Sequence, residues 1–383
     1  MSKIDDLIKE LCPDGVRFVR VGDVAVIGTG RSDRKDAVEN GQYPFYVRSK
    51  IVSRIDRYSF DEEAIIIPGE GGVGDIFHYA NGKYDLHQRA YRIVFITNEV
   101  NTKYALYYFM SLFKSFITRK AVNATVTSIR KPMIEDFRIP VPPLEVQKEI
   151  VRVLDSFTEL EAELEAELEA RKKQYEYYRN TLLMFNDDVM WKPMGEICIF
   201  SKDRIASEEL TADNYVGVDN LLKDKKGRTI SSYVPESGIW TKFVSGDILI
   251  GNIRPYLRKI WLADIEGGTN GDVLVFHISK EYTERITPKF LFHCLSSERF
   301  FMFMDSTSKG AKMPRGDKKA ILSFMIPIPS LSAQKQIVSI LNKFEKLTND
   351  ISIGLPAEIE ARRKQYEYYR NKLLTFKELE CSK

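Results

Sequence analysis

A glycine-rich segment at residues 69–74, GEGGVG, has the spacing of glycines that bind the phosphates of a dinucleotide. Such a site also requires a helix directly after the glycines and an acidic residue about 20 positions later. Here residues 76–79 have the composition of a strand, and Phe95 lies near the position that the acid would occupy. The segment therefore predicts a hairpin or loop that needs positive φ angles or a close backbone approach, and this loop, with Gly71 and Gly72, could also lie against a phosphate backbone.

Polar loops occupy matching places in the two halves of the chain, and they hold hydroxyl, amide and cationic side chains. Side chains of these types, when they are held on a turn, suit contacts with DNA phosphates and base edges. The alternative is that both loops are simply solvated. Besides the two glycines, we predict as candidate DNA contacts His87, Gln88, Arg89, Thr125, Thr127, Arg130 and Lys131 in the first half, and Asn252, Arg254, Tyr256, Lys312, Arg315 and Lys318 in the second.

Patterns that indicate catalysis or a resident cofactor do not occur in the sequence. It has no Walker A sequence, no GxSxG elbow and no amino-methyltransferase motif of the N/D-P-P-Y/F type. Its four cysteines form no CxxC pair, and its four histidines form no cluster with the spacing of metal ligands. We therefore predict a non-catalytic chain without a metal ion or cofactor of its own.

Charge is nearly balanced over the chain, with 57 basic and 54 acidic side chains. A dedicated DNA-binding domain usually carries a marked basic excess, so any neutralisation of phosphates must come from local clusters or from a partner. No apolar run in the sequence approaches the roughly 18 residues of a membrane span. We therefore expect a soluble, cytoplasmic protein that does not enter a membrane.

A duplication within the chain indicates the elements that position these loops. Residues 139–160 return as residues 326–347 with 11 of 22 positions identical, and residues 170–185 return as residues 361–376 with 13 of 16 identical. In the first copy, apolar side chains between residues 150 and 185 are spaced by threes and fours or their sums, which is typical of a coiled coil. A helix of roughly 60 Å needs an equally long partner, and the second copy is the obvious one.

The two copies differ between their matching blocks. The first copy has 9 residues there, with the repeated unit EAELEAEL, and the second has 13 residues, with the sequence SIGLP. Pro356 suits the first position of a new helix, because its missing N–H would have no partner there anyway. We therefore predict a continuous first rod and a second rod that is broken near residues 352–355.

Segments rich in β-branched residues precede each helical repeat in the same order, although their side chains differ. The predicted fold is α+β, with two duplicated mixed α/β modules at residues 1–142 and 187–329. Two long helical repeats, at residues 143–186 and 330–383, separate the modules and pair as an antiparallel coiled coil.

The repeated motif IPxPxLxxQKxIVxxLxxF, which leads into ARxKQYEYYRNxLLxF, resembles the repeated regions of the specificity subunits of type I restriction-modification enzymes. The EAEL units look like that family's spacer repeats. The stretches GEGGVGDIFHYANGKYDLHQRAYRI and GDILIGNIRPYLRKIWLADIEGG look like its target recognition domains. The resemblance covers essentially the whole chain, although the interrupted second rod departs from two continuous, mirror-image rods.

The resemblance implies a DNA sequence-specificity subunit, in which each module reads one half of a bipartite, asymmetric site and the helices set the spacer. It implies three partners: double-stranded DNA, two modification subunits that use S-adenosylmethionine to methylate adenine, and restriction subunits that use ATP and Mg for translocation and cleavage. The two YEYYRN segments are candidate contacts for partner subunits through Tyr175, Tyr178, Arg179, Tyr366, Tyr369 and Arg370.

Two functions of other classes remain as alternatives. A non-catalytic coiled-coil scaffold with two protein-binding modules would have the same architecture. A self-sufficient methyltransferase or nuclease would need motifs that the sequence does not contain.

Overall fold

The computed structural model describes residues 2–120, 128–186, 188–350 and 352–379. It divides into two compact units: unit 1 comprises Met1–Glu163 with Glu360–Lys383, and unit 2 comprises Leu164–Ile359. Each unit therefore combines one globular module with a part of each helical repeat. Within the described residues, no helix is both long and apolar enough to cross a membrane.

The module of unit 1 is a mixed α/β structure, as predicted. Its strands are β1 (Arg17–Arg20), β2 (Ala25–Thr29), β3 (Tyr43–Tyr46), β4 (Ser53–Ile55), β5 (Phe60–Pro68), β6 (His78–Leu86), β7 (Ala90–Phe95) and β8 (Arg138–Val141). Its helices are α1 (Ser2–Leu11), α2 (Val21–Val24), α3 (Thr102–Lys120) and α4 (Lys131–Glu135), followed by the long helix α5 (Leu144–Leu182). Six strands form one sheet in the order β2-β7-β5-β6-β3-β4, and β1 pairs with β8. In that sheet β3 and β6 are parallel, and the other neighbours are antiparallel.

The unbroken apolar run in β5 follows from burial on both faces of the sheet. Successive side chains of a strand point to opposite faces. Ile65 and Ile67 therefore pack on one face in the same core as Phe109 of α3. Ile66 packs on the opposite face with Tyr84. Because β5 is covered on both sides, it reads as a continuous hydrophobic segment rather than an alternating one.

Unit 2 repeats this plan with shorter strands. Its strands are β9 (Met190–Pro193), β10 (Cys198–Phe200), β11 (Arg204–Ala206), β12 (Ile239–Phe243), β13 (Ile248–Gly251), β14 (Ile260–Leu262), β15 (Gly267–Thr269), β16 (Val273–Ile278) and β17 (Met325–Ile328). Its helices are α6 (Met194–Ile197), α7 (Pro288–Leu295), α8 (Glu298–Ser306), α9 (Lys318–Leu322) and α10 (Leu331–Asn349), and α10 is followed by α11 (Leu355–Leu373), most of which belongs to unit 1. The strand orders are β10-β16-β13-β14 and β11-β12-β15, and β9 pairs with β17 as β1 does with β8.

The predicted difference between the two helical repeats is confirmed. Helix α5 is continuous over 39 residues, which corresponds to about 58 Å. The second repeat is split into α10 and α11, and Pro356 lies in the first turn of α11. In the break, the Asp350 carboxylate accepts the Ser352 N–H at 2.8 Å. A Cβ at Gly354 would lie 2.5 Å from the Lys346 carbonyl oxygen, so this tight turn requires glycine.

The two repeats pair in antiparallel fashion, and the pairing occurs once in each unit. In unit 1 the Phe157 ring lies 5.5 Å from the Tyr369 ring and 6.3 Å from the Tyr366 ring. In unit 2 the Phe344 ring lies 5.3 Å from the Tyr178 ring and 6.1 Å from the Tyr175 ring. Phe344 is the repeat counterpart of Phe157, and Tyr175 and Tyr178 are the counterparts of Tyr366 and Tyr369. The same contact is therefore made twice, with the roles of the two copies exchanged.

A buried glutamine joins each module to the helix that follows it. Gln147 in unit 1 and Gln334 in unit 2 occupy the same position of the repeat and have 0% of their surface exposed. Each side-chain amide donates to two backbone carbonyl groups and accepts one backbone N–H, at distances of 2.7 to 2.9 Å. The partners of Gln147 are Glu99 O, Pro142 O and Asn101 N–H, and those of Gln334 are Arg285 O, Pro329 O and Thr287 N–H.

The segment after α11 returns to the start of the first module within unit 1. The Val16 N–H donates to Lys377 O at 2.8 Å, and the Leu379 N–H donates to Val16 O at 3.0 Å. Gly15 has φ +104°, and a Cβ there would lie 2.5 Å from Lys377 O, so this approach requires glycine. The segment after α11 is thus attached to module 1 by hydrogen bonds. The corresponding segment of the first repeat, after α5, instead continues along the chain into module 2.

Candidate nucleic-acid interface

In unit 1, the segment that follows β5 pairs with the segment that precedes α4. The Gly69 N–H donates to Arg89 O at 2.8 Å, and the Ile129 N–H donates to Gly69 O at 2.7 Å. Glu70 and Ser128 form an antiparallel bridge next to these bonds. Three stretches that the sequence singled out separately therefore form one surface, which we call loop cluster 1: GEGGVG, YDLHQR and residues 128–130 before α4.

Unit 2 contains the same arrangement. The Asn252 N–H donates to Asp272 O at 2.8 Å, and the Gly316 N–H donates to Asn252 O at 3.1 Å. Ile253 and Arg315 form the antiparallel bridge. The stretch NIRPYLR and the loop before α9 are thereby brought together in loop cluster 2. Since Gly69 and Asn252 have equivalent backbone bonds, Arg89 and Asp272 occupy equivalent positions.

The equivalent positions carry opposite charges. In loop cluster 1, Arg89 Nη1 donates to Glu70 Oε2 at 2.9 Å. In loop cluster 2, Asp272 Oδ1 accepts Arg315 Nη2 at 3.0 Å. These four side chains are 35 to 55% exposed, so each pair contributes little to stability and remains accessible to a ligand. The two clusters therefore share a backbone arrangement but differ in where they place hydrogen-bond donors and acceptors.

The glycine loop of cluster 1 has the predicted backbone conformation. Gly71, Gly72 and Gly74 have φ angles of +67°, +71° and +73°. A Cβ added at Gly71 would meet no atom within 4 Å, so the loop backbone is open at that point. A backbone without side chains can approach a phosphate group or a groove edge closely.

Loop cluster 2 obtains a similar turn without glycine. Arg254 and Arg258 have φ angles of +52° and +50°, a conformation that costs a non-glycine residue roughly 1–2 kcal/mol. The Arg254 N–H donates to Pro314 O at 2.7 Å and helps to hold the turn. Tyr256 lies between the two arginines and is half exposed. Strained backbone of this kind is concentrated at functional sites.

The structure corrects the prediction for two of the candidate DNA contacts. His87 and Asn252 are both buried. His87 Nδ1 accepts the Arg89 N–H at 2.9 Å, and burial lowers the pKa of His87. Both residues therefore mainly shape the loops from inside, although His87 also lines the cavity beside Arg48 and Glu70.

The remaining candidate DNA contacts that the structure describes lie at the ends of helices or in exposed loops. Arg130 and Lys131 begin α4, and Lys131 lies 3.6 Å from Glu135. Gln88 Nε2 donates to Asp33 at 3.0 Å. Lys312 is exposed in the loop before α9, and the Lys318 ammonium lies 5.8 Å from the Phe200 ring centroid. Thr125 and Thr127 lie outside the described residues.

Sequence reasoning missed one arginine of cluster 1. Arg48 Nη1 donates to Glu70 Oε2 at 3.1 Å, the same oxygen that Arg89 contacts. A cavity of about 360 Å³ beside them is lined by Arg34, Arg48, Glu70 and His87, among others. Residues 31–57 hold seven basic and four acidic side chains, so a count over a short window would have found this local excess. The balanced charge of the whole chain conceals it.

The proposed partner contacts in the YEYYRN segments also need correction. Tyr175 and Arg179 are only 5% and 4% exposed, and Arg179 Nη1 donates to Ser296 O at 3.1 Å. They belong to the interior of unit 2. The most exposed tyrosines of the two segments are instead Tyr177 and Tyr368, at 65% and 63%.

The remaining four candidates of these segments, Tyr178, Tyr366, Tyr369 and Arg370, have mixed surroundings. Tyr178 and Tyr369 stack against the phenylalanine of the opposite repeat. The Arg370 guanidinium lies 5.5 Å from the Tyr366 ring centroid. The tyrosines therefore contribute to the pairing of the helices, whereas the Arg370 contact lies within α11.

Comparison with known proteins decides between DNA specificity and a protein scaffold. The model of the type I restriction modification DNA specificity domain matches twice, at residues 13–170 and 186–361. The chain belongs to this family. The resemblance inferred from the repeats is thereby confirmed, and DNA specificity, rather than protein scaffolding, is the function of the family.

Two curated relatives are similar over much of this specificity-domain chain. The specificity subunit of the type I restriction enzyme EcoR124I/EcoR124II from Escherichia coli is 34% identical over 266 residues, which are 62% of this chain and 63% of that subunit. The chain thus matches just under two thirds of that relative's length. A putative type I restriction enzyme specificity subunit from Haemophilus influenzae is 30% identical over 373 residues, which are 92% of this chain and 93% of that protein.

Solved structures share the α+β fold. The S subunit of a type I restriction-modification system from M. genitalium aligns with a TM-score of 0.58 and 16% identity, over 94% of this chain and 96% of that one. A chain from a structural study of the assembly and conformational transition of a type I restriction-modification system aligns with a TM-score of 0.59 and 14% identity, over 95% and 98%. The fold is therefore retained although most side chains differ.

Proposed function

We propose that this chain is the non-catalytic DNA-specificity subunit of a cytoplasmic type I restriction-modification complex. Each unit reads one half of a bipartite, asymmetric DNA site. The observation that carries this proposal is the pair of loop clusters, in which the same backbone bonds present Arg89 with Glu70 in one unit and Asp272 with Arg315 in the other. Base pairs differ in the order of donors and acceptors that they expose in the major groove. A donor such as Arg89 in one unit and an acceptor such as Asp272 at the equivalent position of the other therefore select different sequences.

The helical repeats set the number of unspecified base pairs between the two half-sites. The continuous α5 and the contact of a phenylalanine with paired tyrosines in each unit support this role. A packed pair of long helices is a stiff spacer, because each apolar contact fixes the register of the two chains.

Two modification subunits, which bring S-adenosylmethionine and methylate adenine, bind the paired helices, and restriction subunits complete the complex with ATP and Mg. The duplicated exposed tyrosines, Tyr177 and Tyr368, support two equivalent docking surfaces. Tyrosine is enriched at protein interfaces, because its ring is apolar and its hydroxyl group can bond to a polar partner.

Substitution of Arg315 tests the assignment of loop cluster 2. In the complex with its modification subunits, Arg315→Ala should relax one half-site, and Lys312→Ala should weaken methylation of the sites that contain it, while assembly is retained. Long-read methylation sequencing gives the site, and size-exclusion chromatography gives the assembly. Lys280→Ala, which removes an exposed cation outside the cluster, is the control. An Arg315→Ala complex that methylates the original site with unchanged selectivity would contradict the proposal.

A further inference from the structure

Loop cluster 1 holds two arginines on a single carboxylate oxygen. Glu70 Oε2 accepts Arg48 Nη1 at 3.1 Å and Arg89 Nη1 at 2.9 Å. The three side chains come from different places in the chain: Arg48 follows β3, Glu70 follows β5 and Arg89 precedes β7. The fold therefore assembles a triad that no local sequence motif reveals.

The triad is accessible and carries a net positive charge. Arg48, Glu70 and Arg89 are 42%, 41% and 55% exposed, so a ligand can reach all three. Two guanidinium groups on one carboxylate leave one positive charge, which attracts acceptor groups. Each guanidinium has five N–H donors, and the bonds to Glu70 use only one donor of each.

Glu70 also retains an acceptor. Both arginines bond to Oε2, and within the described residues no protein group donates to Oε1. Because the carboxylate is bonded to two cations, it keeps its orientation when DNA approaches. The triad thus presents a fixed pattern: guanidinium donors beside a carboxylate acceptor.

That pattern matches a G·C pair best in the major groove. Guanine exposes two adjacent acceptors, N7 and O6, and its partner cytosine exposes the N4 amino donor. A guanidinium group can donate to both guanine acceptors at once, and a carboxylate accepts from cytosine N4. An A·T pair separates its two acceptors, adenine N7 and thymine O4, by the adenine N6 amino donor, so one guanidinium group cannot donate to both.

We propose, resting on the function proposed above, that the half-site read by unit 1 contains an invariant G·C pair, read by Arg48 with Glu70 as the cytosine acceptor. Arg89 holds Glu70 in place and neutralises the nearby phosphate charge. The glycine loop beside the triad lets the backbone come close enough for these side chains to reach the base edge.

The test is the methylation pattern of the complete chain in complex with its modification subunits, in a host that lacks other adenine methylation. The unaltered complex should methylate sites in which one half always contains a G·C pair at one position. Arg48→Lys keeps the charge but loses the two-pronged donor, and it should reduce the preference for G·C at that position by roughly 10- to 100-fold. Glu70→Gln should relax the same position.

Controls separate this inference from folding and from the proposed function. The half-site read by unit 2 should remain unchanged in the same molecules. Arg17→Ala removes an exposed arginine that is paired with Glu99 in the same unit, and it should leave both half-sites intact.

Three results would overturn the inference: a pair of half-sites without an invariant G·C pair, strict selectivity in Arg48→Lys, or loss of both half-sites together in that variant. Absence of any chain-dependent methylation in the unaltered complex would overturn the proposed function itself and the inference with it.

Discussion

Replacement of either buried glutamine should destabilise the unit that contains it. Gln147→Ala and Gln334→Ala each remove three hydrogen bonds to backbone groups in the interior. Each bond contributes about 1 kcal/mol net, and an abandoned buried partner costs about 1–3 kcal/mol. Since some partners can be resolvated after the change, we expect a loss of about 3–5 kcal/mol in the free energy of unfolding at each site. A domain is stable by only about 5–15 kcal/mol, so this loss is large.

Urea denaturation followed by circular dichroism measures the effect. Gln336→Ala, which truncates an exposed glutamine two residues from Gln334 on the same helix, is the matched control and should change the free energy of unfolding by less than about 0.5 kcal/mol. A loss of under about 1 kcal/mol in both buried variants would refute the reasoning, since it would mean that these bonds do not hold the modules to the helices.

Two further predictions concern buried groups without full hydrogen bonding. The Tyr104 hydroxyl group is buried and has no hydrogen-bond partner in the described part of the chain, and the residue at the corresponding position of unit 2 is Phe290. Tyr104→Phe should therefore leave the free energy of unfolding unchanged or raise it by up to about 1 kcal/mol. A clear loss of stability in denaturation curves would contradict this. Burial lowers the pKa of His293 from 6.5 to about 3, so below pH 6.5 the unfolded chain takes up a proton that the folded chain does not. Stability should fall by about 2 kcal/mol between pH 6.5 and pH 5, and a pH series of denaturation curves should show a smaller decrease in His293→Gln.

The helical repeats could be predicted from sequence because their signal is local and occurs twice. The spacing of apolar residues gave the length of α5, and Pro356 gave the start of α11. Strands such as β5 could be predicted from continuous apolar runs. Tyr175 and Arg179 could not be placed in the interior, because a helical pattern alone does not show which residues a folded module covers.

The residues that form the candidate site are distant in the sequence. The sequence alone therefore could not predict which of them come into contact. Arg48, Glu70 and Arg89 meet only after the four strands β3, β5, β6 and β7 have paired. The reversal of charge between Arg89 and Asp272 becomes visible only when their equivalent backbone bonds are known. The sequence identified these stretches by their polar and glycine-rich composition. That they lie next to each other became visible only in the folded structure.

Insertion of one additional EAEL unit after Leu168 tests most directly the claim that the helices hold two reading units apart. Four residues lengthen the helix by about 6 Å, which corresponds to on the order of one to two base pairs of duplex at about 3.4 Å each. Long-read methylation sequencing of the variant complex should show the same two half-sites with a longer unspecified spacer. A spacer of unchanged length, or altered bases in either half-site, would contradict the account.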